Sequence, residues 1–159
     1  MYKKNQIKSL FQHPYRLKKN RIKILVTGSN GLIGREFCNQ LKQKNIIFKG
    51  TDTNFNILKK NFYNILRRFK PNIIIHCASH PGGLSFIDPI QNIKTNYIGS
   101  VKIINWCIKN KCKFIFLSSS AVYGNRNKKI KIKESDELLP ETIYGINKLA
   151  IEKFIKNYS

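Results

Sequence analysis

Two residues four apart, Tyr144 and Lys148, carry the pair of reactive groups that most resembles a proton-transfer device in this sequence. On a helix that spacing puts both side chains on one face. An ammonium beside a phenol favours the phenolate, which makes the tyrosine a base able to take a proton from a hydroxyl. The same lysine can donate to a ribose hydroxyl. Taken alone, the spacing is usually a solvated surface pair, and its weight comes from what precedes it. The apolar run Phe114-Ile115-Phe116-Leu117 ends in Ser118-Ser119-Ser120. A hydroxyl at the end of a buried strand stands at the mouth of the crevice that the sheet forms.

A second constellation suits a phosphate. Thr27-Gly28-Ser29-Asn30-Gly31-Leu32-Ile33-Gly34 directly follows a β-branched run and opens a helical pattern. Gly28 permits a tight turn, Gly31 lets the backbone approach a pyrophosphate, and Gly34 lets the helix pack close to the sheet. Free N–H groups and the positive helix end then hold the phosphates. The plainer alternative is a strand-to-helix turn with no ligand. Asp52 lies 24 residues after Gly28, just past the second apolar run. A carboxylate there accepts both ribose hydroxyls of an adenosine and repels a 2′-phosphate, which favours NAD. Lys49 is a neighbour that can receive a 2′-phosphate instead, which leaves NADP as the alternative, and a solvated loop aspartate is the third reading.

These groups need a scaffold, and the hydrophobic pattern describes one. Residues 22–27, 46–49, 73–77 and 114–118 read as strands. Helices are predicted over 32–44, over 56–69 with Ile57, Phe62, Ile65, Leu66 and Phe69 at helical spacing, over 86–110 and over 142–158. In the third of these, Ile93, Tyr97, Ile98, Val101, Ile104 and Ile108 share a stripe. The run Ile73-Ile74-Ile75 wants burial on both faces, as in a parallel sheet. The alternation of strand and helix predicts an α/β fold, a doubly wound parallel sheet in the order 2-1-3-4, with a crevice where the order reverses between strands 1 and 3.

A chain of 159 residues suits one domain, here residues 22–159. Residues 1–21 hold seven basic and no acidic side chains and read as a basic N-terminal arm. They lack the apolar core of a secretory signal and the Ser and Arg richness of a mitochondrial presequence, which predicts a cytoplasmic protein. An apolar fraction of 42% excludes a chain without a core, and no apolar run approaches the roughly 18 residues of a membrane span. The net charge of +22 raises nucleic-acid binding. Yet Lys outnumbers Arg 24 to 6, Lys, Ile and Asn make up 67 residues, and Ala occurs three times. That skew touches polar and apolar positions alike, as an AT-rich coding sequence would, and it predicts weak polyanion adhesion without a specific nucleic-acid partner. Cys38, Cys77, Cys107 and Cys112 form no CxxC and have no His at metal-site spacing; they read as reduced thiols, with no metal site. His76 reads as a buried structural histidine, Trp106 as helix core or groove lining, and Lys128, Lys129, Lys131 and Lys133 as a solvated face.

Five segments in order carry a resemblance: TGSNGLIG (27–34), PNIIIHCAS (71–79), TNYIGS (95–100), FIFLSSSAVYG (114–124) and YGINKLAIEKF (144–154). Over residues 22–159 the chain resembles the extended short-chain dehydrogenase/reductase superfamily, in its NAD-dependent epimerase/dehydratase group acting on nucleotide sugars. The resemblance implies a Rossmann-type fold. It also implies NAD, or NADP, held by Gly28, Asn30, Gly31, Leu32, Ile33, Gly34, Asp52, Ala78, Ser79 and Lys148. By the same matching Ser119 and Tyr144 are catalytic, Lys148 is the ribose-binding partner of the tyrosine, and Asn96 supports the site.

The subtype follows by subtraction within the resemblance. Dehydratases of the group carry Asp-Glu where this chain has Ser120 and Ala121, and GDP-fucose synthase carries a Cys acid at the position of Ala121. Pro81-Gly82-Gly83 is nonetheless similar to that synthase and pulls towards a reductase. A hydride-shuttling epimerase or dehydrogenase is the most economical reading. Family members continue past the YxxxK helix into a further strand and a substrate-binding part, so the chain is expected to be truncated before that part. It would then work with a separately encoded C-terminal half or as a homo-oligomer, its apolar edge strand at 114–118 being open to association. The contrasting hypothesis is a non-catalytic module that binds a dinucleotide or a polyanion.

Overall fold

A computed structural model of the protein describes residues 22–125 and 131–157. Its four strands are β1 (Lys23–Thr27), β2 (Ile47–Thr51), β3 (Ile73–His76) and β4 (Lys113–Phe116). They are all parallel and lie in the order β2-β1-β3-β4, as the alternating pattern predicts. The first crossover runs outward from β1 to one side and the next returns past it to the other, so a crevice opens beyond the carboxyl ends of β1 and β3.

The period of two along each strand builds a core on both faces. Ile24, Val26, Ile73 and Ile75 pack with Leu41 of helix α1 (Leu32–Gln43) on one side. Leu25 and Ile74 pack on the other side with Phe62 and Leu66 of α2 (Lys60–Phe69) and with Ile103 and Cys107. Every residue of β3 is buried, which accounts for its unbroken apolar run. Helix α2 starts four residues later than predicted. Asn56 Oδ1 accepts from Leu58 N at 2.8 Å, and a 3₁₀ turn occupies Thr53–Phe55. Local side-chain bonds of this kind compete with the first helical turn.

Between β3 and β4 lies one helical rod, α3. It consists of an α-helical turn Pro89–Asn92, a π-helical stretch Ile93–Gly99 and an α-helix Ser100–Lys109. Its buried face matches the predicted stripe fully only at Ile104, with Tyr97 and Val101 half-buried. Ile93, Ile98 and Ile108 are 37%, 41% and 46% exposed, whereas Asn92, Asn96, Ser100, Ile103, Ile104 and Cys107 are buried. Bonds from i to i+5 widen each π-turn, so a stripe read at the α-helical period loses its place there. The face turned inward instead carries amides, because it meets the unpaired backbone of the segment after β3. The last helix, α4, spans Ile143–Lys156 and packs on α3.

Cys107 and Cys112 are buried, Cys38 and Cys77 half-buried, and all four are free thiols. Among the described residues no group of His, Cys, Asp and Glu could hold a metal ion, and no helix is long and apolar enough to cross a membrane. The basic arm, the part of the basic loop at 126–130 and the end of the last predicted helix at Tyr158 lie outside the described residues.

Candidate active site

The glycine turn is held by contacts that no other residue allows. Gly28 has φ +65°, and a Cβ there would sit 2.7 Å from Ala78 N on the neighbouring strand exit. Gly34 is buried with its α-carbon against the Gly28 carbonyl oxygen, where a methyl would collide. The close approach that Gly34 permits is therefore to the turn itself rather than to the sheet. Gly31 donates to Gly28 O at 3.1 Å and starts α1. It offers no side-chain cap, and the first turn of α1 holds no acidic residue. The first N–H groups of the helix thus have no capping side chain, and they form a positive end suited to a phosphate.

Asp52 closes this end of the site. Its Oδ2 accepts from Asn30 N at 2.6 Å and its Oδ1 from Thr53 N at 2.7 Å, so the carboxylate is pinned between the glycine turn and the exit of β2. A groove of about 360 Å³ runs from here across the crevice. Gly28, Gly31, Asp52, Ala78 and Ser79 of the predicted cofactor residues line it. Asn30, Leu32, Ile33, Gly34 and Lys148 do not: Leu32 is 83% exposed, Gly34 lies behind the turn, and Lys148 stands at the other end. Sequence reasoning missed Thr53, Asn56, Ile57, Gln91 and Thr95, which reach the wall from elements distant in sequence. Cys77 packs against the core on one side and lines the groove on the other, and burial pushes its thiol up to about 12.

Lys148 lies beside Tyr144 at the carboxyl end of β4, and Ser119 starts the turn that follows that strand, against which their helix packs. Ser119 caps the 3₁₀ turn Ser120–Tyr123, its Oγ accepting from Ala121 N at 3.2 Å. Helix α4 packs against that turn, with Gly145 so close that a Cβ would lie 2.5 Å from Ala121 O. Tyr144 is thereby brought over the loop after β3, where Gly82 faces its ring. Lys148 is only 5% exposed. Its Nζ donates to Leu117 O at 2.8 Å, a carbonyl left unpaired where β4 ends, and lies 4.7 Å from the Phe116 ring centroid and 5.5 Å from that of Tyr144. Burial pulls the Lys148 ammonium down to about 8, partly opposed by the Cys77 thiol beside it. Gly82 and Gly145 stood out in the sequence only as members of their motifs, without a packing role, although a glycine directly after the tyrosine was a readable sign of close helix packing.

His76 is the buried structural histidine expected. Its Nδ1 meets Thr27 Oγ1 at 2.7 Å and its Nε2 meets Ser100 Oγ at 2.9 Å. Burial, aided by the Lys148 charge, lowers it to about 3, so it is neutral at any ordinary pH. Asn96 also has a supporting place: its Oδ1 accepts from His80 N at 2.7 Å and Ser79 Oγ at 3.1 Å, which shapes the groove wall.

Comparison with known proteins places the chain by family and fold. An uncharacterized UDP-glucose epimerase of Bacillus subtilis, YtcB, is 32% identical over 167 residues, covering 86% of this chain and 52% of the relative. The fold matches a dTDP-4-dehydrorhamnose reductase of Clostridium acetobutylicum with TM-score 0.74 and 31% identity, over 86% of this chain and 49% of that one. It also matches the UDP-glucose 4-epimerase of Thermus thermophilus, solved with NAD, with TM-score 0.79 and 20% identity, over 86% and 50% of the two chains. The chain thus spans about half the length of these relatives. The family model for the NAD dependent epimerase/dehydratase family matches residues 24–159, and the chain belongs to that family.

Proposed function

We propose that this chain is the dinucleotide-binding part of an enzyme that transfers hydride at a hydroxyl-bearing carbon of a nucleotide sugar. NAD, the cofactor named for the family, supplies the hydride acceptor when bound. The residues present fit it. The N–H groups at the start of α1 suit a pyrophosphate, and the pinned Asp52 carboxylate keeps lone pairs for the hydroxyls of an adenosine ribose. Lys148 has three N–H donors and spends one on Leu117 O, leaving two for a ribose near the reacting end.

Tyr144 takes the proton from the sugar hydroxyl as its C–H bond is oxidised, and returns a proton when the carbonyl is reduced. Ser119 donates to the same oxygen. The nucleotide-sugar substrate rests on the names of the relatives, a UDP-glucose epimerase and a dTDP-4-dehydrorhamnose reductase. Ser120 and Ala121, in place of an acid pair, argue against water elimination.

The observation that carries this reading is the desolvated Lys148, anchored on Leu117 O beside the ring of Tyr144 at the open end of a parallel sheet. The test uses the enzyme at the full length of its relatives. Tyr144→Phe should lower kcat by about a hundredfold or more while NAD affinity stays within about twofold. Turnover within about threefold of wild type would remove the tyrosine from the mechanism.

A further inference from the structure

A continuous buried polar chain leads from the catalytic helix to the glycine turn. Asn147 Nδ2, on α4, donates to Asn92 Oδ1 on α3 at 2.9 Å, and Asn96 Nδ2 donates to the same oxygen at 3.1 Å. Asn96 O accepts from Ser100 Oγ at 2.7 Å, Ser100 Oγ meets His76 Nε2, and His76 Nδ1 meets Thr27 Oγ1, the residue before Gly28. Thr27 Oγ1 in turn accepts from Ala78 N at 3.1 Å.

The direction of each bond is forced. Ala78 N and His80 N can only donate, so Thr27 Oγ1 and Asn96 Oδ1 must accept from them. Ser100 Oγ spends its one proton on Asn96 O and so accepts from His76 Nε2, and the neutral His76 then accepts at Nδ1 from Thr27 Oγ1. The Asn96 amide nitrogen must likewise face Asn92 Oδ1. Asn92 Nδ2 faces His80 O and Pro81 O, both at 3.5 Å, which orients the Asn92 amide and makes its Oδ1 the acceptor for Asn147. Asn92 has no exposed surface, and Asn147 is buried. A rotation of α4 about its axis that broke this bond would strand a buried amide on each side. It would also carry Lys148, the next residue, away from Leu117 O.

We propose that Asn92 and Asn147 are positioning residues, whose mutual hydrogen bond sets the rotation of α4 and so holds Tyr144 and Lys148 in place against the glycine-turn side of the site. This rests on the roles given to Tyr144 and Lys148 above. The helical rod presents Asn92, Asn96 and Ser100 on one buried line, four residues apart.

The test compares Asn92→Leu, Asn147→Leu and the double variant with Asn72→Ala, which removes an equally structural side-chain bond, Lys23 N to Asn72 Oδ1 at 2.8 Å, at the far end of the sheet. Three quantities are measured on the chain: Tm, the NAD dissociation constant by calorimetry, and the titration midpoint of Lys148 from its ¹³Cε shift. Each leucine variant should weaken NAD binding by about tenfold. Each should also raise the Lys148 midpoint from about 8 towards its ordinary 10.5, as the loosened ammonium hydrates. The double variant should be no worse than Asn92→Leu alone, because the only bond Asn147→Leu removes between the two helices is one that Asn92→Leu has already removed. Asn72→Ala should lower Tm and move neither of the other two. If the leucine variants lower Tm while the Lys148 midpoint stays where it is in wild type, the pair is only a staple and the proposal is overturned. Additive effects in the double variant would also overturn it. Should the leucine variants not fold, Asn147→Ser shortens the donor and faces the same two criteria. A wild-type chain that binds no NAD would sink the proposed function instead, while the Lys148 titration still decides the role of Asn92 and Asn147.

Discussion

Asp52 shows how much a single carboxylate can decide. Two backbone N–H groups hold it, so it cannot swing aside to admit a 2′-phosphate. Lys49 opposes it only as an exposed side chain on β2, and exposed charge pairs contribute about 0–1 kcal/mol. The chain should therefore bind NAD more tightly than NADP at fixed salt. Asp52→Ala should narrow the ratio of the two dissociation constants by about tenfold. An unchanged ratio would reduce Asp52 to a loop staple. Tyr63 makes the opposite point. Its hydroxyl is buried without a partner among the described residues, and burial, with Cys107 nearby, pushes it up to about 12. An orphaned buried hydroxyl costs stability, so Tyr63→Phe should leave the chain as stable or stabilise it by about 1 kcal/mol in urea unfolding. A loss of similar size would mean that the hydroxyl has a partner in solution.

At the scale of elements, the site depends on how closely α4 approaches the turn after β4. Gly145 allows that approach, and Gly145→Ala would bring a methyl against Ala121 O. A helix interior gains about 1 kcal/mol from Gly to Ala, but a clash with backbone commonly costs about 1–3 kcal/mol. The expected net result is a lower Tm and weaker NAD binding. Gly83→Ala, where a Cβ would meet nothing within 4 Å, should change neither. If both substitutions behave alike, the close packing of α4 has no bearing on the site. The elements themselves were legible wherever one period governs a segment, as in β1, β3 and α1. Legibility failed in α3, where the π-helical stretch shifts the face and amides outcompete isoleucines for the interior. It failed again at the start of α2, where Asn56 caps its own turn.

For the whole molecule, two buried bases tie stability to pH with the same sign. Unfolded His76 takes its proton near 6.5, but the folded residue refuses it until about 3. Between those values the unfolded chain binds more protons, so this contribution is present above pH 6.5 and is lost as pH falls towards 3. Unfolded Lys148 keeps its proton to 10.5, whereas the folded one releases it near 8. The cost of the buried charge is therefore relieved as pH rises through that window, and stability gains. NMR should find no His76 titration near neutrality, and Lys148→Met should remove the alkaline gain from urea-unfolding profiles. A His76 midpoint near 6.5 would show that the buried chain through Thr27 and Ser100 is not closed in solution.

What the sequence determined by itself is the part written in neighbours along the chain. The alternation of apolar runs and helical patterns fixes a parallel sheet with one reversal of order. The glycine spacing marks a tight strand-to-helix turn at Gly28, and the spacing of Tyr144 and Lys148 puts them on one helix face; that Gly34 serves the turn rather than the sheet is decided by the structure. The tertiary structure decided what depends on neighbours in space. Lys148 has its lowered proton affinity because α4 buries it over Phe116 and hands its ammonium to Leu117 O. The groove takes its wall from Asn56, before α2, and from Gln91 and Thr95, a turn apart on α3. Asn92 and Asn147 meet across 55 residues. Periodicity reports which side of its own element a residue faces. It carries no information about which other element arrives there, and packing alone settles that.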